Sequence, residues 1–397
     1  MPRPALELAD IVRQHGEPYR RAHPLSRQQG RVLRAIEACR TAALGGHVEQ
    51  CRHCSHTRIS YNSCRNRHCP KCQNRERAQW LEDRKAELLP LEYFHVVFTV
   101  PEPIARLAFY NQAAVYKILF QTAAQTLLAI ARDPKDLGAA IGFFAILHTW
   151  GQNLHFHPHL HCVVPGGGLS PDQQRWISCR TGFFLPVRVL SRLFRRLFLK
   201  PLEKAFAQGQ LQFVGEFEDL ADPHRFAQYL APLRHCEWGG YAKPPFGGPL
   251  QVLEYLGRYT HRIAISNDRL LALQDGQVTF QWKDYRRKGR SRSRTMTLPA
   301  SEFLRRFLIH VVPPQLRRIR HYGLLANRHR KKMVALCRQL LGQGVTEFLP
   351  DAPQCQRLLA ALPPRPLALC PVCRQGEMIR IQTLAAYRWP DRPPDTS

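Results

Sequence analysis

The chain has 397 residues, with 58 Lys and Arg against 30 Asp and Glu and 44% hydrophobic residues. A formal charge of +28 on so apolar a chain means a folded protein made to meet a polyanion, with nucleic acid ahead of an anionic membrane. The length allows two or three domains and a sizeable core. The opening stretch, MPRPALELAD, lacks an apolar signal core, and no apolar run is read as long enough to span a bilayer. A cytoplasmic, nucleoid-associated bacterial protein with no membrane partner is therefore expected. In that compartment thirteen cysteines argue for metal ligation over disulfides.

Residues 1–92 read as an N-terminal zinc-binding, DNA-binding domain. Ser26–Arg40 has helical spacing and a serine start. Cys51 and Cys54, then fourteen residues, then Cys69 and Cys72 give two C-x-x-C pairs, the spacing of a four-thiolate structural Zn2+ site. Cys64 and His68, inside the loop, are alternative ligands. Arg65, Arg67, Lys71, Arg75 and Arg77 crowd the same segment, and a metal-fixed backbone would present them to phosphates.

Residues 93–335 read as a catalytic α+β domain with a mostly antiparallel sheet flanked by helices. Tyr93–Val100 is a strand by alternation and β-branching, followed by a long apolar helix over Ile104–Arg132. Five histidines then fall within fourteen positions, at His148, His155, His157, His159 and His161. Phe143–His148 reads as a short strand and LHCVVP as a buried one. Side chains alternate along a strand, so His159 and His161 point the same way and can share one cation. A strand returning alongside would add His148 as third ligand, with His157 as its rival. Neutral imidazoles in that number suit a divalent ion that keeps positions open for substrate. Gly166-Gly167-Gly168 is too short and misplaced for a nucleotide loop and reads as room for close approach. Val187–Phe206 is a basic amphipathic helix, read as a domain surface.

Downstream, Pro249–His261 (PLQVLEYLGRYTH) begins as a helix, and Tyr255 and Tyr259 lie one turn apart on one face. Their polar, basic surroundings, including Arg258, are a poor recipe for a core face. Ile263–Ile265, Leu270–Leu273, an Asp275-Gly276 turn and Val278–Trp282 form a hairpin or meander. Arg286–Arg294 places six basic residues in nine, among them Arg286, Arg287, Lys288 and Arg290, with Trp282 and Tyr285 at hand for stacking, a pattern suited to single strands. Glu302–Val312 is a further helix, followed by a tract of Arg317, Arg318, Arg320, Arg328, Arg330, Lys331 and Lys332. Residues 336–397 read as a basic C-terminal tail, partly disordered. It holds one C-x-x-C, Cys370 and Cys373, with no evident second pair; Cys337 and Cys355 are candidates to complete it.

Three stretches, HTWGQNLHFHPHLH, YAKPPFGGPLQVLEYLGRYTHRIAISN and EFLRRFLIHVVPPQLRRIRHYGLLANR, together with NSCRNRHCPKCQ, resemble the two-tyrosine rolling-circle transposases of the insertion-sequence ninety-one family, within the HUH endonucleases. The resemblance spans most of residues 45–330. It implies an HUH-like sheet with the histidine pair on a central strand and the tyrosine helix beside it. It also implies Mg2+ or Mn2+ on His159, His161 and His148, with Tyr255 and Tyr259 as nucleophiles. The product would be a 5′-phosphotyrosine and a free 3′-hydroxyl. Lys243 and Arg258 become candidates for phosphate contacts. Single-stranded DNA at transposon ends and target is the implied partner, and host replication proteins are candidates. Two other classes remain: a hydrolytic metalloenzyme using a metal-bound water, and a non-catalytic zinc-finger DNA binder descended from a transposase.

Overall fold

The structure is a computed structural model describing residues 6–72, 87–182, 184–246, 251–252, 264–284, 293–342 and 369–387, the side chains of 240–246 excepted. The chain divides into two units, one of Met1–Trp80, His261–Val311 and Asp351–Ser397, the other of Leu81–Thr260 and Val312–Pro350.

The first unit gathers both ends of the chain. Helix α1 (Leu8–Ala22) buries Leu8, Ile11 and Val12. Helix α2 (Arg27–Ala38) starts at Ser26, whose hydroxyl accepts from the Gln29 N–H while the Gln29 side chain returns to the Ser26 N–H. That reciprocal box is what the serine start foretold. Strands β1 (Gly46–Cys51) and β2 (Thr57–Tyr61) follow as an antiparallel pair.

The second unit is built on a sheet whose first strand is β3 (Tyr93–Thr99). The predicted helix over Ile104–Arg132 is two, α3 (Glu102–Tyr110) and α4 (Gln112–Arg132). The break is Asn111. Its buried amide accepts from the Gln212 N–H and donates to the carbonyls of Gln212 and of Leu107 in α3, so it closes the first helix and ties a neighbouring segment to it. Helix α4 is long and apolar enough to cross a membrane, against the expectation from the sequence. It is the core helix of this unit: Tyr116, Leu119, Phe120, Ala123 and Leu127 are wholly buried.

Strands β4 (Gly142–Trp150) and β5 (Phe156–Pro165) pair antiparallel and are followed by the short hairpin β6 (Gly167–Leu169) and β7 (Trp176–Ser178). The glycine run is a packing device: a Cβ on Gly168 would overlap the carbonyl of Ala140. Helices α5 (Val187–Ala207) and α6 (Pro223–Leu230) precede the edge strand β8 (Gly240–Phe246).

In the first unit again, β9 (Leu270–Gln274), β10 (Gln277–Lys283) and β11 (Ser293–Pro299) make the expected meander, and α7 (Ala300–Leu308) packs Phe303 against Phe280. Strand β12 (Ile319–Gly323) and α8 (Arg330–Leu340) belong to the second unit. Strand β13 (Met378–Leu384) returns to the first, antiparallel to β1. The expectation of a separate tail is corrected here: Leu369–Tyr387 is folded onto the front module.

The main sheet has order β12-β4-β5-β3-β8, and every pairing is antiparallel. Alternation gives it two distinct faces. One carries Phe94, Phe98, Phe143, Leu147, Leu160 and Val164 into a core shared with α4 and α5. The other carries His95, His148, His159 and His161, placed there by the register of β3, β4 and β5. Among described residues the polar side chains of the sheet's centre thus collect on one side.

Candidate metal centre and cysteine sites

His159 stands directly opposite His148 across β4 and β5, and His161 lies two residues along β5 on the same face. Each of the three has a ring nitrogen within 4.8 Å of those of the other two. Ring centroids are 4.5 Å apart for His148 and His161 and 4.7 Å for His159 and His161. His148 and His161 are buried and His159 is half-buried.

The second nitrogens fix the rings. His159 Nδ1 lies 2.6 Å from the carbonyl oxygen of His157. A carbonyl only accepts, so Nδ1 carries the proton and Nε2 keeps its lone pair as the ligand atom. His161 Nδ1 shares a 2.8 Å hydrogen bond with Nε2 of His95, a residue the sequence reading passed over. His95 sits on β3 opposite Val163, diagonal to His161 on the same face. The strand alternation of YFHVVFT was the signal that could have found it. Burial pulls His159 down to about 4, against the opposing effect of its bond to the His157 carbonyl. Burial, then the neighbouring His155, also lowers His157. The His159 ring is therefore neutral near pH 7, the form that ligates a metal. His157 contributes its carbonyl and is absent from the group of three; its ring centroid lies 5.2 Å from that of His159.

Such a set, three imidazoles with no thiolate, suits a divalent ion with open positions. Tyr255, Tyr259 and Arg258 lie outside the described residues, as do Arg286, Arg287, Lys288 and Arg290. The arms of that basic loop are described, Lys283 pairing with Ser293. Lys243 is on β8 with its backbone in register with His95.

The cysteines do not group as their spacing suggested. Cys51, Cys54, Cys69 and Cys72 do not share one site. Cys69 and Cys72 meet Cys39 and Cys64, while Cys51 and Cys54 meet Cys370 and Cys373. In the first group Cys39 and Cys64 each lie 3.6 Å from Cys72, sulfur to sulfur. Cys39 is the residue that ends α2, and only the fold brings it to the knuckle. His68 does not join: its Nδ1 contacts the Asn66 side chain. Hydrogen bonds from the neighbouring thiols push Cys72 strongly toward the thiolate, as a metal ligand needs.

The cationic surfaces are also thinner than the sequence suggested. Lys71 is ion-paired to Glu7, both largely buried, so it braces the front module. Arg320 lies over the Phe120 ring at 4.1 Å and Arg330 pairs with Glu87 at 2.9 Å. Arg317, Arg328, Lys331 and Lys332 remain exposed.

Two family models and two curated relatives match the chain. A family described as "Transposase zinc-binding domain" matches residues 11–100, and one described as "Putative transposase" matches residues 142–333. A protein named "Putative transposase y4qJ", of Sinorhizobium fredii, is 58% identical over 100% of both chains. The "Transposase for insertion sequence element IS801" of Pseudomonas savastanoi pv. phaseolicola is 29% identical over 73% of this chain and 68% of its own. No solved structure matches. Within the zinc-binding match lie all four members of the Cys39, Cys64, Cys69 and Cys72 group. The transposase match takes in the three histidines and the segment holding both tyrosines.

Proposed function

The chain belongs to the transposases of the insertion-sequence ninety-one family, and from that premise we propose that it moves DNA by cutting and rejoining single strands through Tyr255 and Tyr259 at an HUH-type site on His148, His159 and His161. The observation that carries the reading is the register of β4 and β5. It sets three buried or half-buried imidazoles on one face, with the His159 lone pair kept for a cation by its bond to His157.

Mg2+ or Mn2+ bound there supplies Lewis-acid neutralisation of charge building on the scissile phosphate. The chain's own residues do the rest. A phenol, unperturbed pKa about 10, is a weak nucleophile at neutral pH and needs its phosphorus held in line. The phenolic oxygen of Tyr255 attacks, its proton passes to solvent, and the P–O bond to the 3′-oxygen breaks. That oxygen takes up a proton as a free 3′-hydroxyl, and the 5′-phosphate stays on the tyrosine. No cofactor is consumed, because the phosphotyrosine ester keeps the bond energy for rejoining. A second phenol four residues on, Tyr259, opens a second strand while the first remains held. Attack of each phosphotyrosine by the 3′-hydroxyl freed from the other strand, with the tyrosine as leaving group, then gives strand transfer without a double-strand break, the chemistry of rolling-circle movement. Of the two, Tyr255 is the one retained if a single nucleophile suffices.

Arg258 and Lys243 are assigned to phosphate contacts near the cleavage point, and the loop holding Arg286, Arg287, Lys288 and Arg290 to the displaced strand. The site acts on DNA within the bacterial cytoplasm, at element ends and target.

The test is incubation of the protein with Mn2+ and 3′-labelled single-stranded DNA from the element's end. A denaturation-resistant labelled band is expected, lost in Tyr255→Phe/Tyr259→Phe and in His159→Ala. Cleavage that persists in the double phenylalanine variant would favour a hydrolytic metalloenzyme. Tight binding with neither cleavage nor adduct would favour a non-catalytic zinc-bearing DNA binder.

A further inference from the structure

We infer that the chain holds a second structural zinc ion, bound by Cys51 and Cys54 from its front and Cys370 and Cys373 from its back, which clasps the two ends of the first unit together. The zinc-binding family match ends at residue 100 and already contains a complete group of four thiols, Cys39, Cys64, Cys69 and Cys72. It therefore says nothing of a ligand pair 316 positions from Cys54.

The geometry is that of two facing knuckles built alike. In the first, the Ser55 N–H bonds the Cys51 carbonyl at 3.1 Å and Ser55 takes φ 53°. In the second, the Arg374 N–H bonds the Cys370 carbonyl at 2.9 Å and Arg374 takes φ 55°. Each turn thus closes behind its second cysteine on a left-handed residue, which aims both sulfurs of the pair the same way. Backbone N–H groups point at the sulfurs: His53 and Cys54 at Cys51 (3.3 and 3.4 Å), and Gly376 at Cys373 (3.4 Å).

Across the knuckles the sulfurs of Cys51 and Cys373 are 3.6 Å apart, and those of Cys54 and Cys370 3.5 Å. Four sulfurs about 2.3 Å from a central ion would be about 3.8 Å from one another, whereas a disulfide needs about 2.05 Å. The observed spacing is close to that of a tetrahedral ion cage. Gly376 is part of the build, since a Cβ there would overlap the Cys51 sulfur and the His53 side chain.

The clasp lies at the end of the pairing between β1 and β13, where Cys51 is in register with Met378. Zinc entering the cage displaces the remaining thiol protons to solvent as four thiolates form, with no change of oxidation state. The ion closes a very long loop, the case in which a metal clip restrains the unfolded chain most. The last segment of the chain is in this way a working part of its first module.

Zinc content and thiol protection of the full-length protein test this directly. Two zinc ions per chain are expected by elemental mass spectrometry, falling to one in Cys370→Ser/Cys373→Ser and to one in Cys39→Ser/Cys64→Ser. In the wild type, peptide mapping should show Cys370 and Cys373 protected from N-ethylmaleimide together with Cys51 and Cys54, and all four released by chelator. One zinc per wild-type chain, or rapid alkylation of Cys370 and Cys373 in the zinc-loaded protein, would overturn the inference. Neither wild-type measurement depends on a variant that folds or on catalytic activity.

Discussion

At the scale of single residues, the histidine site depends on nitrogens that face away from it. The His157 carbonyl and the His95 ring each take one nitrogen of a neighbouring imidazole, and so settle which nitrogen and which ring angle remain for a cation. Losing such an outer partner typically weakens metal affinity about 10–100-fold. His95→Phe, which keeps bulk on the buried face but gives His161 nothing to bond, is expected to weaken Mn2+ binding within that range in a calorimetric titration. His95→Gln, able to bond the same nitrogen, should recover most of it. Equal affinity in wild type and His95→Phe would remove His95 from the account. Of these residues the sequence made His159 and His161 legible, because a two-residue spacing on a strand has one geometric meaning. His148 needed one further step, a strand return. His95 lies more than fifty positions upstream, and its partnership exists only once β3 is set beside β5.

Among elements, the three central strands β3, β4 and β5, the β9–β10 turn and helices α2, α5 and α7 were readable from alternation and capping, whereas strands such as β1, β8, β12 and β13 are defined by their pairing partners. Asn111 splits a helix whose apolar pattern runs straight through it, because its side chain satisfies the backbone of Gln212. The cysteines misled for a different reason. Two C-x-x-C pairs at short spacing carry the same signal whether they share an ion or each find other partners. What decides is β13 pairing with β1 and the end of α2 reaching the knuckle at Cys69, and both are tertiary events. Helix α7 offers a pH test at this scale. Hydrogen bonds and charge from Arg305, then Arg306, hold Glu302 at about 2, below its ordinary value of 4.5. A carboxyl depressed on folding stabilises above its unfolded value, and the gain is lost as pH falls through the folded one. The melting temperature of the wild type should therefore decline between pH about 4.5 and about 2 by more than that of Glu302→Gln. The variant should be the less stable of the two at pH 7. Parallel curves for the two proteins would show that the ion pairs contribute nothing.

For the whole molecule, the excess of 58 basic over 30 acidic residues is a statement about partners and not about fold. Part of that charge is consumed internally, by Glu7 on Lys71, Glu87 on Arg330 and the Phe120 ring under Arg320. Arg317, Arg328, Lys331 and Lys332 are exposed and available to phosphates. On single-stranded DNA each neutralised phosphate contributes about 0.7 to the slope of log affinity against log salt. Replacing Arg286, Arg287, Lys288 and Arg290 with Ala should lower that slope by up to about 3 and weaken binding alike for all sequences. An unchanged slope would place the DNA elsewhere.

Joint action of a phenol of Tyr255 or Tyr259 and the imidazole site on one phosphorus is what the proposed mechanism requires. Its most direct measurement is the mass of the peptide left after an Mn2+-dependent reaction on single-stranded element DNA, followed by nuclease and protease digestion. A nucleotide adduct is expected on the peptide carrying Tyr255 and Tyr259, absent when His148, His159 or His161 is replaced by Ala. Strand cleavage with no adduct on that peptide, or an adduct on any other residue, would contradict it.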